Sequence, residues 1–87
     1  MSKVVIYTGN LCGYCTMAKR LLTQKGLTFT EINVDHDPKL RQQMIERTQC
    51  RTVPQIYIGD YHIGGCDDLY ALERNQQLEQ IIATYLT

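Results

Sequence analysis

Residues 4–34 of the 87-residue chain, VVIYTGNLCGYCTMAKRLLTQKGLTFTEINV, decide the fold. The run 4–7 is short, β-branched and aromatic and ends in a turn signal, which predicts a buried strand. Over residues 13–25 the apolar side chains recur at helical spacing, and Gly26 then stands where a helix C-terminal glycine belongs. Residues 28–34 are rich in strand formers. A strand, a helix and a strand in this order imply a parallel pair with a right-handed crossover.

The rest of the chain predicts one more helix, a hairpin and a last helix. Asp37 and Pro38 form a helix start, since the aspartate can cap and the proline suits the first helical position. Residues 55–58 and 61–63 predict two strands joined by a tight turn. A single C-terminal helical stretch opens at Asp67. The order β-α-β-α-β-β-α is α/β and thioredoxin-like, with a four-stranded mixed sheet covered by helices.

Length, composition and charge exclude several classes of protein. Eighty-seven residues predict a single domain, residues 1–87, with 44% hydrophobic and 21% charged side chains. Nine basic residues balance nine acidic ones, so the chain lacks the excess positive charge that is typical of proteins that bind nucleic acid or an anionic membrane. No apolar run approaches the roughly 20 residues that span a bilayer. The N-terminus lacks a secretory pattern, so we expect a cytoplasmic protein.

Two of the four cysteines, Cys12 and Cys15, form a C-x-x-C at the predicted start of the first helix. The first helical turn presents unpaired N–H groups and the positive end of the helix dipole. A thiolate there is stabilised, so its pKa falls below the free value of about 8.5. We expect Cys12 to be the exposed nucleophile and Cys15 the more buried resolving thiol. Lys19 and Arg20 add positive potential further along.

A structural zinc site is the main alternative for the cysteines, and the sequence does not favour it. Cys50, Cys66, His36 and His62 could complete such a site. They form neither a second C-x-x-C nor a histidine pair at structural spacing. We therefore predict no metal site, and we expect Cys50 and Cys66 to act mainly as small buried hydrophobes.

Two further motifs accompany the cysteine pair. Residues 52–54 read Thr-Val-Pro directly before the third strand, where a proline is otherwise an odd choice. Residues 64–68 read Gly-Gly-Cys-Asp-Asp at the turn into the last helix. Together with the Cys-Gly-Tyr-Cys of residues 12–15, and at these separations, they resemble the glutaredoxin family. The resemblance covers essentially the whole chain, and each motif alone would be weak evidence.

The resemblance implies a site for glutathione. It places a cis peptide bond before Pro54 and turns the backbone of Val53 towards the cysteine moiety of glutathione. The helix-start amides of Cys66 and Asp67 would hold the α-carboxylate of the γ-glutamyl group, and the carboxylates of Asp67 and Asp68 would face its ammonium. The complete implied glutathione-binding set is Tyr14, Arg51, Thr52, Val53, Pro54, Gly65, Cys66, Asp67 and Asp68.

The chain departs from the family pattern at two positions. Gly9 stands where a lysine commonly pairs with the glycine carboxylate of glutathione. Arg51 is the natural substitute and Gln43 a weaker one; the alternative interpretation of Arg51 is a solvated loop charge. Gly13 stands where dithiol members usually carry proline; glycine restores an N–H donor and loosens the turn.

The resemblance implies an enzyme that reduces protein–glutathione mixed disulfides and protein disulfides, with glutathione as co-substrate. We expect a monomer. The alternative is a [2Fe–2S] carrier or sensor, in which Cys12 of each of two subunits and two glutathione thiolates would hold the cluster. A third possibility is an electron donor for one partner, such as ribonucleotide reductase. The γ-glutamyl motif argues against this third possibility, because such a donor needs no glutathione site.

Overall fold

The computed structural model describes residues 3–86, so Met1, Ser2 and Thr87, at the ends of the predicted domain, lie outside the described residues. The elements are β1 (Val4–Thr8), α1 (Gly13–Gln24), β2 (Phe29–Asn33), α2 (Pro38–Thr48), β3 (Gln55–Ile58), β4 (Tyr61–Gly64), α3 (Cys66–Arg74) and α4 (Leu78–Tyr85). This arrangement confirms the predicted thioredoxin-like α/β fold.

The sheet has the order β2-β1-β3-β4. Strand β1 runs parallel to β2 and antiparallel to β3, and β3 and β4 form an antiparallel hairpin. Ile6, at the centre of β1, pairs with Glu31 of β2 and Ile56 of β3. Every residue of β1 and β3 is buried, because helices cover both faces of these central strands. The mixed four-stranded sheet agrees with the sequence prediction.

Alternate residues of β1 enter two separate hydrophobic layers, since successive strand side chains point to opposite faces. Ile6 lies with Leu22 of α1 and Leu69 of α3 in the larger layer, which also takes Leu78 of α4. Tyr7 lies in the smaller layer beneath α2; its buried members are Val5, Tyr7, Val34, Met44 and Tyr57. The cysteine-bearing helix α1 is therefore fixed against the sheet on the same side as α3.

The predicted single C-terminal helix is wrong, because the structure divides it into α3 and α4. Gln76 adopts a left-handed backbone with φ of 60°. Its N–H donates to the carbonyl of Glu73 at 3.1 Å, and the N–H of Gln77 donates to the carbonyl of Leu72 at 2.9 Å. These two bonds end a helix in the Schellman pattern, in which glycine is the usual left-handed residue. Glutamine fills that position here, so the sequence carries no obvious stop.

The other predicted helix ends are confirmed. Gly26 ends α1 with φ of 76°, and the N–H of Leu27 donates to the carbonyl of Leu22 at 3.1 Å. Asp37 caps α2 by accepting the backbone N–H of Lys39 at 2.9 Å, with Pro38 in the first turn. Over residues 3–86, no helix has the length and apolar character needed to cross a membrane.

Asp35 connects the loop before α1 to helix α2, and this connection should depend on pH. One carboxylate oxygen accepts the N–H of Asn10 at 2.7 Å and the other accepts Arg41 Nη2 at 2.6 Å. The Asn10 N–H, and secondarily Arg41, lower the pKa of Asp35. A lowered pKa in the folded state gives stability above the unfolded pKa that is lost as pH falls through the folded pKa.

We therefore expect Asp35→Asn to lower the melting temperature at pH 7, and the deficit to shrink as pH falls to about 3. Thermal unfolding of both proteins across this pH range measures the difference. Asp60→Asn, at an exposed turn, is the matched control and should show no such trend. A deficit that is constant with pH would contradict the assignment of the effect to the Asp35 charge.

Candidate active site

Cys12 and Cys15 lie between the end of β1 and the first turn of α1, where they are joined by a disulfide with a Cα–Cα distance of 5.2 Å. Cys12 is the N-cap of α1, and its Sγ accepts the backbone N–H of Cys15 at 3.2 Å. Cys15 is only 2% exposed, whereas Cys12 is half-buried. Cys12 is thus the more accessible sulfur, and its sulfur lies where helix N–H groups stabilise a thiolate.

A cleft of about 390 Å³ begins at Tyr14, which lies between the two cysteines in the chain. It brings together most of the residues that the sequence assigned to glutathione, namely Tyr14, Thr52, Val53, Pro54, Gly65, Cys66, Asp67 and Asp68. It also includes Cys50, Gln55 and Gly64, which the sequence did not assign. Three separate chain segments therefore meet in one groove: the start of α1, the loop before β3 and the start of α3.

Arg51 is the exception among the predicted binding residues. Its side chain is exposed and lines a neighbouring hollow with Asp35 and Arg41, outside the cleft. Its backbone carbonyl accepts Arg41 Nη1 at 3.3 Å. Gly9 packs against the same region, since a Cβ at Gly9 would lie 2.9 Å from Asp35 Oδ2 and 3.3 Å from Val53 Cγ2.

The loop before β3 forms one wall of the cleft. The peptide bond between Val53 and Pro54 is cis, as the family resemblance implied. Pro54 is buried and Thr52 is exposed, with Val53 intermediate between them. The amide of Gln55 donates to the carbonyl of Thr52 at 3.0 Å, which closes the loop on itself.

The start of α3 gives its two aspartates different surroundings. Asp68 Oδ2 accepts the N–H of Gly65, the N-cap of α3, at 2.9 Å. Asp67 is exposed and lines the cleft. Asp68 therefore holds the helix start in shape, while the carboxylate of Asp67 lies open to a bound group.

Gly64 is required by the turn into α3, and substituting it should be costly. Its φ is 110°, and an added Cβ would collide with the Asp68 carboxylate, whose Cγ would lie 3.1 Å away. We expect Gly64→Ala to lower the free energy of unfolding by about 1–3 kcal/mol. Urea unfolding with both proteins in the same redox state measures the change.

Gly13→Ala is the control for this substitution, because an added Cβ at Gly13 would meet nothing within 4 Å. Alanine at a helical position should leave stability unchanged or raise it by up to about 1 kcal/mol. Equal losses of stability in the two variants would contradict the role given to the backbone of Gly64.

The two remaining cysteines differ from each other. Cys66 is 5% exposed, as predicted, and burial, with the nearby Asp67 charge, raises the pKa of its thiol. It therefore stays protonated and unreactive at neutral pH. Cys50 is half-buried in the cleft wall rather than buried, because its loop runs along the groove. Within residues 3–86 no three His, Cys, Asp or Glu side chains converge on a possible metal position.

A disulfide-forming cysteine pair at the first turn of a helix, on a β-α-β sheet beside a proline loop, defines a thioredoxin-fold thiol–disulfide oxidoreductase. The sequence model of the glutaredoxin family matches residues 4–63, and the chain belongs to that family. Cys12 and Cys15 are accordingly its redox-active pair.

The relatives cover nearly the whole chain. The chain is 49% identical to a glutaredoxin of Pseudomonas aeruginosa over 83 residues, 95% of this chain and 99% of the relative. It is 48% identical to glutaredoxin 3 of Escherichia coli K12 over 82 residues, 94% of this chain and 99% of the relative.

Among solved structures, the glutaredoxin of Brucella melitensis superposes with a TM-score of 0.81 at 50% identity, covering 94% of this chain and 89% of that one. The buckwheat glutaredoxin–glutathione complex superposes with a TM-score of 0.85 at 30% identity, covering 95% of this chain and 78% of that one. These matches agree with the fold and the family.

Proposed function

We propose that the protein reduces protein–glutathione mixed disulfides, and protein disulfides, at the expense of glutathione. The observation that carries the proposal is the single cleft that joins the Pro54 loop and the start of α3 to Tyr14, two residues after Cys12 in the chain. A tripeptide needs three kinds of contact, and these segments offer an apolar wall, free backbone groups and a helix N-terminus. The crystallised complex of the buckwheat relative with glutathione supports this choice of ligand.

The start of α3 suits the γ-glutamyl end of glutathione. The backbone N–H groups of Cys66 and Asp67 lie in the first turn, where a carboxylate is stabilised by unpaired donors and by the helix dipole. The open carboxylate of Asp67 would pair with the ammonium group. The Val53 backbone would bond the central cysteine residue as a short added strand. This arrangement directs the glutathione sulfur towards Cys12.

The chemistry then proceeds in two thiol exchanges. The Cys12 thiolate attacks the glutathione sulfur of the mixed disulfide, the old S–S bond breaks, and the protein thiolate leaves and takes up a proton. The thiolate of a second glutathione attacks the Cys12–glutathione disulfide and releases oxidised glutathione. For a protein disulfide, Cys15 attacks the intermediate at Cys12 instead, leaving Cys12 and Cys15 oxidised as they are in the structure.

The test is turnover of a glutathionylated peptide with glutathione, coupled to glutathione reductase and NADPH. We expect saturable turnover in both the peptide and glutathione. Turnover no faster than the protein-free background at saturating glutathione would contradict the proposal.

Arg51 is proposed to attract the glycine carboxylate of glutathione from the edge of the cleft, in place of the lysine missing at Gly9. The side chain is exposed, so its contribution should be modest. We expect Arg51→Gln to raise KM for glutathione about twofold to fivefold, with less effect in high salt. Arg74→Gln, at the far end of α3, is the matched control. Equal KM values for glutathione in the two variants would contradict this role and would show that Arg51 is a solvated loop charge.

A second candidate function is a [2Fe–2S] site shared by two subunits through Cys12 and glutathione. Gly13 is the reason to consider it, because glycine in the first turn of α1 leaves the backbone beside Cys12 freer than proline would. Anaerobic reconstitution with iron, sulfide and glutathione tests the idea. A dimer with visible absorbance would support it, and a colourless monomer would end it.

We further propose a cytoplasmic protein whose residues 1–87 act as one monomeric domain on glutathionylated or disulfide-containing proteins, ribonucleotide reductase among them. Free Cys50 and Cys66 beside a redox pair suit a reducing compartment, where disulfides seldom persist. The bacterial relatives of matching length support a one-domain protein.

A further inference from the structure

A buried glutamine links the cleft to a histidine on the neighbouring strand β4. Gln55 is 3% exposed. Its Nε2 donates to the Thr52 carbonyl at 3.0 Å and lies 3.4 Å from Thr52 Oγ1, while its Oε1 lies 2.8 Å from His62 Nε2. His62 is not among the residues that line the cleft, and its hydrogen bond to Gln55 connects it to one that is.

The orientation of this chain of hydrogen bonds follows from the Thr52 carbonyl. A carbonyl oxygen can only accept, so the Gln55 group that faces it must be the NH₂. The Gln55 oxygen then faces His62, and the His62 Nε2 must carry a proton to donate to it. The imidazole is held as the Nε2–H tautomer, with Nδ1 unprotonated whenever the ring is neutral.

The surroundings of His62 keep it in place. Its ring stacks on Tyr57 with centroids 4.9 Å apart and planes 22° apart, and the Arg47 guanidinium carbon lies 3.7 Å from the Tyr57 centroid. Burial lowers the pKa of His62, with Arg47 of α2 acting in the same direction and Asp68 of α3 opposing it. The ring is therefore neutral at pH 7, and it donates from Nε2 in either charge state.

We propose that His62 is a positioning residue for glutathione binding: by fixing the Gln55 amide it holds the Thr52 carbonyl, and so sets the direction of the Val53 backbone in the cleft. The inference rests on the proposed function, since it concerns how the same cleft accepts glutathione. His62 touches neither cysteine, so it should influence binding of the glutathione moiety and leave the sulfur exchange unchanged.

Three variants separate the hydrogen bond from the ring. His62→Phe keeps an aromatic ring on Tyr57 but removes the donor, so we expect KM for the glutathionylated peptide to rise about fivefold with kcat within about twofold. His62→Gln offers an amide donor at a similar reach and should restore much of that KM. Combining His62→Phe with Gln55→Met should give no more loss than Gln55→Met alone, because both act through one chain of bonds.

Wild-type turnover with glutathione is measured first, so failure of the proposed function appears there and not in the variants. If the wild type turns over and His62→Phe has an unchanged KM, or if the losses of His62→Phe and Gln55→Met simply add, the positioning role is overturned. Melting temperatures check that the variants fold. Nitrogen-15 spectra of the wild-type imidazole give a test that needs no variant, and a proton on Nδ1 alone would also overturn the inference.

Discussion

Replacing Cys12 by serine should reduce turnover of a glutathionylated peptide to the uncatalysed background, whereas replacing Cys15 should leave that turnover measurable. Cys12 is the accessible sulfur at the N-cap of α1, and Cys15 is 2% exposed beneath it. A serine hydroxyl is not ionised at neutral pH and cannot take the place of the thiolate in disulfide exchange. In the proposed mechanism both exchanges with glutathione pass through Cys12, while Cys15 is needed only where a protein disulfide must be resolved.

The measurement is the coupled glutathione assay run in parallel on a glutathionylated peptide and on a peptide disulfide. Cys15→Ser should lose the second activity and keep the first. Cys50→Ser is the matched control: its thiol lines the cleft but takes no part in the proposed exchanges, so we expect its kcat to stay within about twofold of wild type and any change to be confined to KM. Turnover of the glutathionylated peptide by Cys12→Ser would contradict the role given to Cys12. Complete loss of that same activity in Cys15→Ser would contradict the role given to Cys15.

Replacing Leu22 by alanine should have the largest effect on stability. Leu22 is fully buried in the layer where α1 packs on the sheet against α3. Truncation removes buried methyl groups and leaves a cavity, so we expect a loss of about 2–5 kcal/mol in the free energy of unfolding. Domains of this kind have about 5–15 kcal/mol in total, so the loss is a large share of the whole.

Leu11→Ala is the control for this substitution, because Leu11 is fully exposed in the loop before Cys12. The same chemical change there should alter stability by less than about 0.5 kcal/mol. Urea unfolding of both variants measures the two free energies of unfolding. We expect the dependence of that free energy on urea concentration to have the same slope in both variants. A small loss for Leu22→Ala would mean that the core collapses around the missing side chain.

The first half of the fold could be predicted because its patterns are local. Apolar spacing, the Gly26 stop and the Asp37 cap each depend on a few neighbouring residues. The break between α3 and α4 could not be predicted in this way. It depends on the left-handed backbone of Gln76. The hydrogen bonds from the N–H groups of Gln76 and Gln77 stabilise this conformation, and they form only when α3 ends there.

The candidate site divides in a similar way. The cysteine pair and the motifs at 52–54 and 64–68 are short patterns, and the residues of the last two motifs meet in one cleft with Tyr14, which lies between the cysteines in the chain. Cys50 lies in the wall of the cleft and Arg51 lies outside it. Both positions depend on the path of the loop between α2 and β3, which short sequence patterns do not determine. The bond between His62 and Gln55 depends on the register of β3 and β4, which contains an irregularity beside Ile56.

The burial of Cys66 also has a consequence under oxidative stress. Peroxide attacks thiolates that are exposed, and the products beyond sulfenic acid are mostly irreversible. Cys66 is shielded by the core and remains a thiol, because burial raises its pKa. Damage should therefore fall on the half-buried Cys12 and Cys50 rather than on Cys66, and at Cys12 the neighbouring Cys15 can capture the sulfenic acid as a disulfide. The cleft at the start of α3 would then keep its shape while Cys12 is oxidised and inactive.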